Sequence, residues 1–461
     1  MRDGNASRKN INDIGDDMKR LSMKATTGVL VMLCLMYFIT YVDRVNISTA
    51  AGQFKSELGL SNTELGVIFS AFAYPYVIFQ FIGGWVSDRF GARRTLLACA
   101  GIWAVATALT GMAGGFFSLI AARLLLGLGE GATFPASTSA MASWIARDKR
   151  GMAQGITHSS ARLGNAVAPM LVLALMTAFN WRFSFFMLGA MSAVWLVVWY
   201  LTYTERPADH PRITRAELDI LPPPKTRPVD PRGTWMRLYK RMAPISAVYF
   251  CYNWILWLML DWMPLYFMHT FHLNIKKAVV FTSGVFVAGV IGDLAGGMVS
   301  DRLLRRTGNV KLARSYLVAG CMALTGLSLV PVILLHDPMI SLIFLAAAMF
   351  FNEMNIGPMW AIPMDIAYDR SGTASGIMSG NGFTAAIVSP VIAGFIADRL
   401  HNWNLTFALS VGVMVCGVLL SFRMKPELPF SNGASDARGE SEREQEAVLS
   451  TADGALHVPQ P

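Results

Sequence analysis

The sequence predicts an all-α polytopic membrane protein, with twelve transmembrane helices in two six-helix bundles related by a pseudo-two-fold axis. Three observations predict it. Hydrophobic residues fill 54% of the 461 positions and charged residues only 15%, where a soluble domain carries about 25% charged. A soluble chain this poor in charge could not cover its surface, and mean hydropathy is +0.43. Twelve stretches are long and apolar enough to cross a hydrocarbon core, which takes about 20 residues. The second half of the chain also repeats motifs of the first in register.

The elements follow in order. Residues 1–24 are polar and charged, with no short apolar core before a cleavage site, so they read as a cytosolic tail and not a signal peptide. Spans at 25–49, 62–86, 94–113, 116–141, 151–178 and 182–203 form the first bundle, 25–204. Residues 205–243 are rich in Pro and Arg, include Leu221-Pro222-Pro223-Pro224-Lys225, and read as a cytosolic linker. Spans at 244–268, 277–300, 313–335, 338–363, 372–397 and 403–423 form the second bundle, 244–425. The Ser-, Glu- and Gly-rich stretch 426–461 reads as a disordered cytosolic tail.

Loop charge sets the orientation. With the N-terminus inside, 21 Lys and Arg fall in inner loops, Arg314 and Arg370 among them, against five outside (Lys55, Arg182, Lys276, Lys277, Arg399). This asymmetry predicts a multi-pass inner-membrane protein with both termini in the cytoplasm. It also accounts for the net charge of +9 without a nucleic-acid partner. Five cysteines are scattered through apolar stretches with no CxxC pair, which predicts neither disulfides nor a zinc site.

The repeat is specific. Gly84-Trp85-Val86-Ser87-Asp88-Arg89 recurs as Gly297-Met298-Val299-Ser300-Asp301-Arg302, offset by 213. Gly151, Gly155 and Pro169 recur as Gly372, Gly376 and Pro390, offset by 221. Two repeats of six spans joined by a polar linker predict a transporter with a central site between the halves.

A charge at mid-bilayer costs about 2.5–3.5 kcal/mol on insertion scales, so each intramembrane charge needs a reason. The first half has Asp43, Arg44, Arg123, Glu130 and Arg162. Arg123 and Glu130 are seven apart, which puts both on one helix face two turns apart. Arg44 is the leading substrate ligand, because a guanidinium grips a carboxylate with two parallel hydrogen bonds. The alternative is a structural pair with Asp43 or Glu130. Glu130 is the leading proton carrier, taking a proton when Arg123 binds the substrate or turns away, with a permanent Arg123–Glu130 bridge as its alternative. Asp43 is a second carrier, or serves to orient Arg44. His158, Arg162 and Asn165 share one face of span five. Arg162 can bind a second carboxylate of a diacid, or pair with a helix end or another acid. His158 is a proton relay or a packed polar residue. Asn253, Trp257, Ser379 and Asn381 suit sugar hydroxyls or an aromatic ring, although Asn and Ser also hold helices together. The second half carries Asp261, Asp293, Glu353 and Asp365 but no mid-span Lys or Arg, which assigns the anion site mainly to the first half. Glu353 is a further proton site or a polar helix contact.

The loop Gly84-Trp-Val-Ser-Asp88-Arg89-Phe-Gly91-Ala-Arg93-Arg94 and its partial copy resemble the major facilitator superfamily. Tyr41-Val-Asp43-Arg44-Val-Asn46, Arg123 with Glu130, Trp254-Ile-Leu-Trp257, Asp261-Trp262-Met-Pro264 and Gly357-Pro-Met-Trp360-Ala-Ile-Pro363 are similar to its anion:cation symporter branch. That branch includes galactonate and hexuronate transporters, the vesicular glutamate transporters and sialin. The resemblance covers about residues 25–425. It implies that Arg44 takes the anionic group, that Glu130 couples protons, and that Tyr76 donates to a substrate oxygen. It also implies that Gly84, Asp88, Arg89 and Arg93 gate the cytoplasmic mouth by bonding helix ends and charged partners across the halves. The chain has Ala161 where galactonate transporters carry glutamine, which implies a differently shaped substrate.

Gly127-Leu-Gly129-Glu-Gly131 lies inside an apolar span with no preceding strand, so it predicts close helix packing and not a dinucleotide loop. No Walker loop, HExxH or GxSxG occurs, and no enzyme activity, cofactor or metal is expected. The expected function is proton-coupled import of an organic anion, such as a sugar acid or other carboxylate. A drug or metabolite exporter working as a proton antiporter is the alternative. The expected partners are the small anion, protons and the bilayer, around a monomer.

Overall fold

The computed structural model describes residues 24–60, 62–225, 234–400 and 403–430, so the tail 1–23, residues 226–233 of the linker and the tail beyond 430 lie outside the described residues. Among the described residues every regular element is helical. Twelve helices are long and apolar enough to span a membrane: Ala25–Ala51, Val67–Phe90, Ala92–Gly111, Phe116–Trp144, Arg147–Ala178, Trp181–Thr202, Thr234–Leu260, Val280–Thr307, Leu312–Leu334, Pro338–Ile366, Tyr368–Ala393 and Trp403–Ser421. They are spans one to twelve below.

One boundary and one charge differ from the sequence expectation. Span seven belongs to a helix of 38 residues, Thr234–Phe271, so the linker is shorter than 205–243. At 1.5 Å per residue that helix is about 57 Å long, well beyond a core of about 30 Å. Arg237, Lys240 and Arg241 therefore ride on a helix that projects past the apolar layer. Arg314, counted above as a loop charge, is fully buried in the first turn of span nine. There it pairs with Asp301 at 3.1 Å and Asp365 at 3.1 Å.

Spans two, four, ten and eleven are broken, the last at Phe383–Thr384, and proline explains the first three breaks. Span two breaks at Phe72, span four at Ala132, and span ten at Met354–Asn355. Pro75, Pro135 and Pro358 follow; each lacks an N–H, and its ring clashes with the carbonyl four residues back. Glu130 and Glu353 stand immediately before two of these breaks.

The repeat seen in sequence becomes two matching seams between the halves, both on the side that carries the chain termini. In one, Asp88 of span two accepts from Gly372 N (2.9 Å) and Thr373 N (2.6 Å), in the first turn of the helix Ser371–Gly382 of span eleven. In the other, Asp301 of span eight accepts from Gly151 N (3.0 Å) and Met152 N (2.6 Å), in the first turn of the helix Arg150–Ala178 of span five. A carboxylate at a helix N-terminus meets unpaired N–H groups and the positive end of the dipole. Glycine permits the approach: a Cβ on Gly84 would collide with the Gly372 carbonyl, and one on Gly297 would sit 2.6 Å from the Gly151 carbonyl. The segments on the other side, Asn62–Ala71, Phe116–Gly131, Pro338–Glu353 and Ala385–Leu400, pack mainly within their own halves. The structure is thus closed at the termini side.

The linker contributes to the first seam. Lys225 Nζ donates at 2.9 Å to Ser139 O, to Ser139 Oγ and to Ser371 Oγ, joining span four to span eleven. Burial holds its amine below the ordinary lysine range, against the pull of Asp88. Lys225→Ala is expected to loosen this seam. Labelling of a cysteine introduced at Ser139 should become several-fold faster in a background lacking the other cysteines. Unchanged labelling would show that Lys225 is not part of the closure.

Candidate functional site

The candidate site lies where spans one, two, four, five, seven and eleven face each other. Arg44 Nε donates to Glu130 Oε2 at 2.6 Å, across 86 residues of chain. Glu130 is fully buried, and the Arg44 side chain retains 16% of its exposure. Four rings surround the guanidinium: its carbon lies 4.6 Å from the Tyr76 centroid, 4.7 Å from Tyr41, 5.2 Å from Phe72 and 5.6 Å from Phe134. Arg123 sits over the other part of this wall, 4.9 Å from Phe72. Cation–π contact compensates a desolvated guanidinium without consuming its N–H donors. Arg44 Nη2, Arg123 Nε and Tyr76 Oη remain buried donors with no protein acceptor. Three convergent donors in an aromatic wall are chemically suited to an anion's oxygens.

The anticipated residues sort as follows. Arg44, Tyr76, Arg123 and Glu130 come together, but the partner of Glu130 is Arg44 and not Arg123. Asp43 turns away from Arg44: its Oδ2 accepts from Ser192 Oγ of span six at 3.4 Å, so it does not orient the arginine. Trp257 stands edge-on to Phe383 at 5.9 Å, and Phe383 in turn lies 5.2 Å from Tyr76, which closes a wall between the halves. The Trp257 Nε1 donor is buried without an acceptor. Asn253 and Asn381 each donate back to a carbonyl of their own helix, Tyr249 O and Ile377 O, both at 2.9 Å. Ser379 donates to Gln80 Oε1 at 2.6 Å and ties span eleven to span two. These bonds make Asn253, Asn381 and Ser379 helix-holding groups in this conformation. The side chain of Asp261 lies outside what is described.

His158 is buried among Tyr37, Phe134 and Trp360, with ring centroids 5.1–5.7 Å away. Arg162 reaches into the second half, where its Nη2 donates to Glu353 Oε2 at 2.9 Å and to Tyr252 Oη at 3.1 Å. Arg162, a first-half charge, is therefore paired with an acid of the second half. Of the gating set, Asp88 and Gly84 cross between halves. Arg93 instead donates to Tyr200 O at 2.6 Å within its own half, and Arg89 lies over Trp85 of its own helix. Tyr252, Gln80, Phe72 and Lys225 were not singled out from sequence. One signal pointed to Gln80: the 213 offset makes it the counterpart of Asp293.

The sequence pattern of the Major Facilitator Superfamily matches residues 33–383. The chain belongs to that superfamily. Its relatives are transporters, so this chain is a membrane transporter and not an enzyme. It is 40% identical over 412 residues to a probable sulfoacetate transporter of Cupriavidus necator, covering 88% of this chain and 95% of the relative. It is 29% identical to a hexuronate transporter of Bacillus subtilis, covering 86% and 93%. A solved structure of the transporter FucP in its outward conformation superposes with a TM-score of 0.70 at 12% identity, covering 87% of this chain and all of that one. That likeness carries the major facilitator fold.

Proposed function

We propose that this superfamily member imports a small organic anion, carrying a carboxylate or sulfonate, together with protons. The observation that carries this reading is the Arg44–Glu130 pair in its aromatic wall, beside buried donors that lack acceptors. Relatives described as sulfoacetate, hexuronate and D-galactonate transporters support the substrate class.

The chemistry follows from competition for one guanidinium. While Glu130 is ionised it occupies Arg44. A proton on Glu130 removes that charge and frees Arg44 to form a two-point bond with the substrate anion. Binding of anion and of proton thus favour each other, and the linkage is reciprocal. With one proton and a monoanion bound, the site carries the same net charge as the empty pair, which lets it cross the closed state; a dianion such as sulfoacetate needs a second proton for the same balance. The halves then rock, the Asp88 and Asp301 bonds break, and release inside re-forms the Arg44–Glu130 pair. In this reading the termini face the cytoplasm, as the loop arginines and lysines favour.

The test is uptake by proteoliposomes offered labelled sulfoacetate, galactonate and a hexuronate under an imposed inward proton gradient. Accumulation that rises as external pH falls, and collapses with an uncoupler, is the expected result. Uptake indifferent to the gradient would overturn the coupling. Efflux of a preloaded anion driven by the same gradient would instead establish an exporter.

A further inference from the structure

Resting on that reading, we propose a second proton-binding site in the opposite half, formed by Asp293 of span eight and Glu353 of span ten around Arg162. The first site holds two acids, Asp43 and Glu130, with two bases, Arg44 and Arg123. The second holds two acids and one base. Arg162 Nη2 meets Glu353 Oε2 at 2.9 Å, and Arg162 Nε lies 4.0 Å from Asp293 Oδ2. Asp293 and Glu353 are both fully buried. Their backbones are close: a Cβ on Gly289, one turn before Asp293, would stand 3.1 Å from Glu353 Cγ.

Other ionisable or polar groups facing the cluster do not supply the missing positive charge. From span seven, Tyr252 donates to Glu353 Oε2 at 2.9 Å, and Tyr249 stacks on Tyr252 at 5.3 Å. From span one, Tyr41 lies within electrostatic reach of Arg162. From span five, His158 is one turn from Arg162, but its ring is boxed by Tyr37, Phe134 and Trp360. From span ten, Asn352 and Asn355 direct their amide N–H groups to Tyr252 O and to carbonyls of their own span.

Hydrogen bonding points the same way as the charge count. Asp293 Oδ1 and Oδ2 and Glu353 Oε1 are buried acceptors with no donor. Leaving such atoms unpaired is costly, more so for charged groups. One proton on the dyad turns an acceptor into a donor and brings the cluster to zero net charge. Glu353 also matches Glu130 in place: each lies within the last two residues of the first helix of a broken span, in equivalent spans of the two halves. The halves therefore each hold a carboxylate beside an arginine, and here the arginine reaches across from the other half. Arg162 thus joins the halves through the acids that carry the proton.

The consequence is stoichiometric: two protons move per substrate, one with each half. The experiment sets opposing substrate and proton gradients across proteoliposomes, with sulfoacetate as the probe, and finds the gradient ratio at zero net flux. Wild type is expected to give two protons per sulfoacetate. Asp293→Asn and Glu353→Gln, which keep side-chain size, are each expected to give one. A wild-type ratio of one overturns the second site without any variant. A ratio unchanged in the variants overturns it too, whatever their rate, and leaves these acids a structural role. A variant that binds but does not transport is read by proton uptake from weakly buffered solution on sulfoacetate binding, where one proton fewer than wild type is expected. Equal uptake would overturn the site. No proton movement in wild type would sink the proton-coupled reading itself, which separates the two failures.

Discussion

Replacing Arg44 by alanine is expected to abolish accumulation of the anion. The substrate loses its guanidinium fork, and removing one partner of a buried, hydrogen-bonded charge pair in a complex costs about 2–5 kcal/mol, roughly thirty-fold to a few thousand-fold in affinity. The protein should still fold, because Glu130, left without its 2.6 Å partner, can take a proton and become neutral. Arg44→Lys separates charge from geometry. An ammonium keeps the charge but lacks the planar fork, so weak uptake with a raised KM is expected. Binding should be measured by calorimetry beside uptake, with the melting temperature confirming the fold. Alanine and lysine variants that transport like wild type would remove Arg44 from the site and leave it a structural partner of Glu130.

Glu130→Gln is expected to separate exchange from accumulation. The amide keeps the carboxyl's shape but cannot ionise, so Arg44 stays free for the anion on both sides of the membrane. Exchange of labelled for unlabelled substrate across proteoliposomes should persist within a few-fold of wild type. Accumulation driven by a proton gradient should fall at least tenfold, and the pH dependence of binding should flatten. Full gradient-driven accumulation in this variant would move first-half coupling to Asp43. That residue is equally buried and is bonded to Ser192 of span six. Asp43→Asn is the matching control.

The fold was legible because hydropathy and repetition are local signals. Gly84 through Arg89 and its copy at 297–302 gave the halves, and the structure turns these same residues into the two seams. The site was legible in part. A charge in an apolar span announces itself, so Arg44, Arg123, Glu130 and Arg162 were found. Their pairing was left open, with Arg44 and Arg123 both named as partners for Glu130, because helical spacing fixes which face a residue occupies and says nothing of the neighbouring helix. Seven-residue spacing suggested Arg123 for Glu130, whereas the partner comes from 86 residues away. The same blindness hid the Arg162–Glu353 pair, 191 residues apart. Asn253 and Asn381 were read as substrate ligands or as groups that hold helices together, and here each amide bonds a carbonyl of its own helix. Lys225 was passed over because a lysine in a Pro-rich linker carries no local sign that it will be buried.

Asp88 and Asp301 bind backbone amides, and backbone has no rotamers with which to follow a departing partner. Each carboxylate holds two consecutive N–H groups at 2.6–3.0 Å on the end of a stiff helix. A withdrawal of about 1 Å lengthens all four bonds past the hydrogen-bonding range at once. The backbone part of each contact cannot give gradually, so opening on this side is expected to be cooperative, in keeping with the bistability of packed interfaces. Distances between probes on spans two and eleven should fall into two populations whose weights shift with pH and substrate, while the positions of the populations stay fixed.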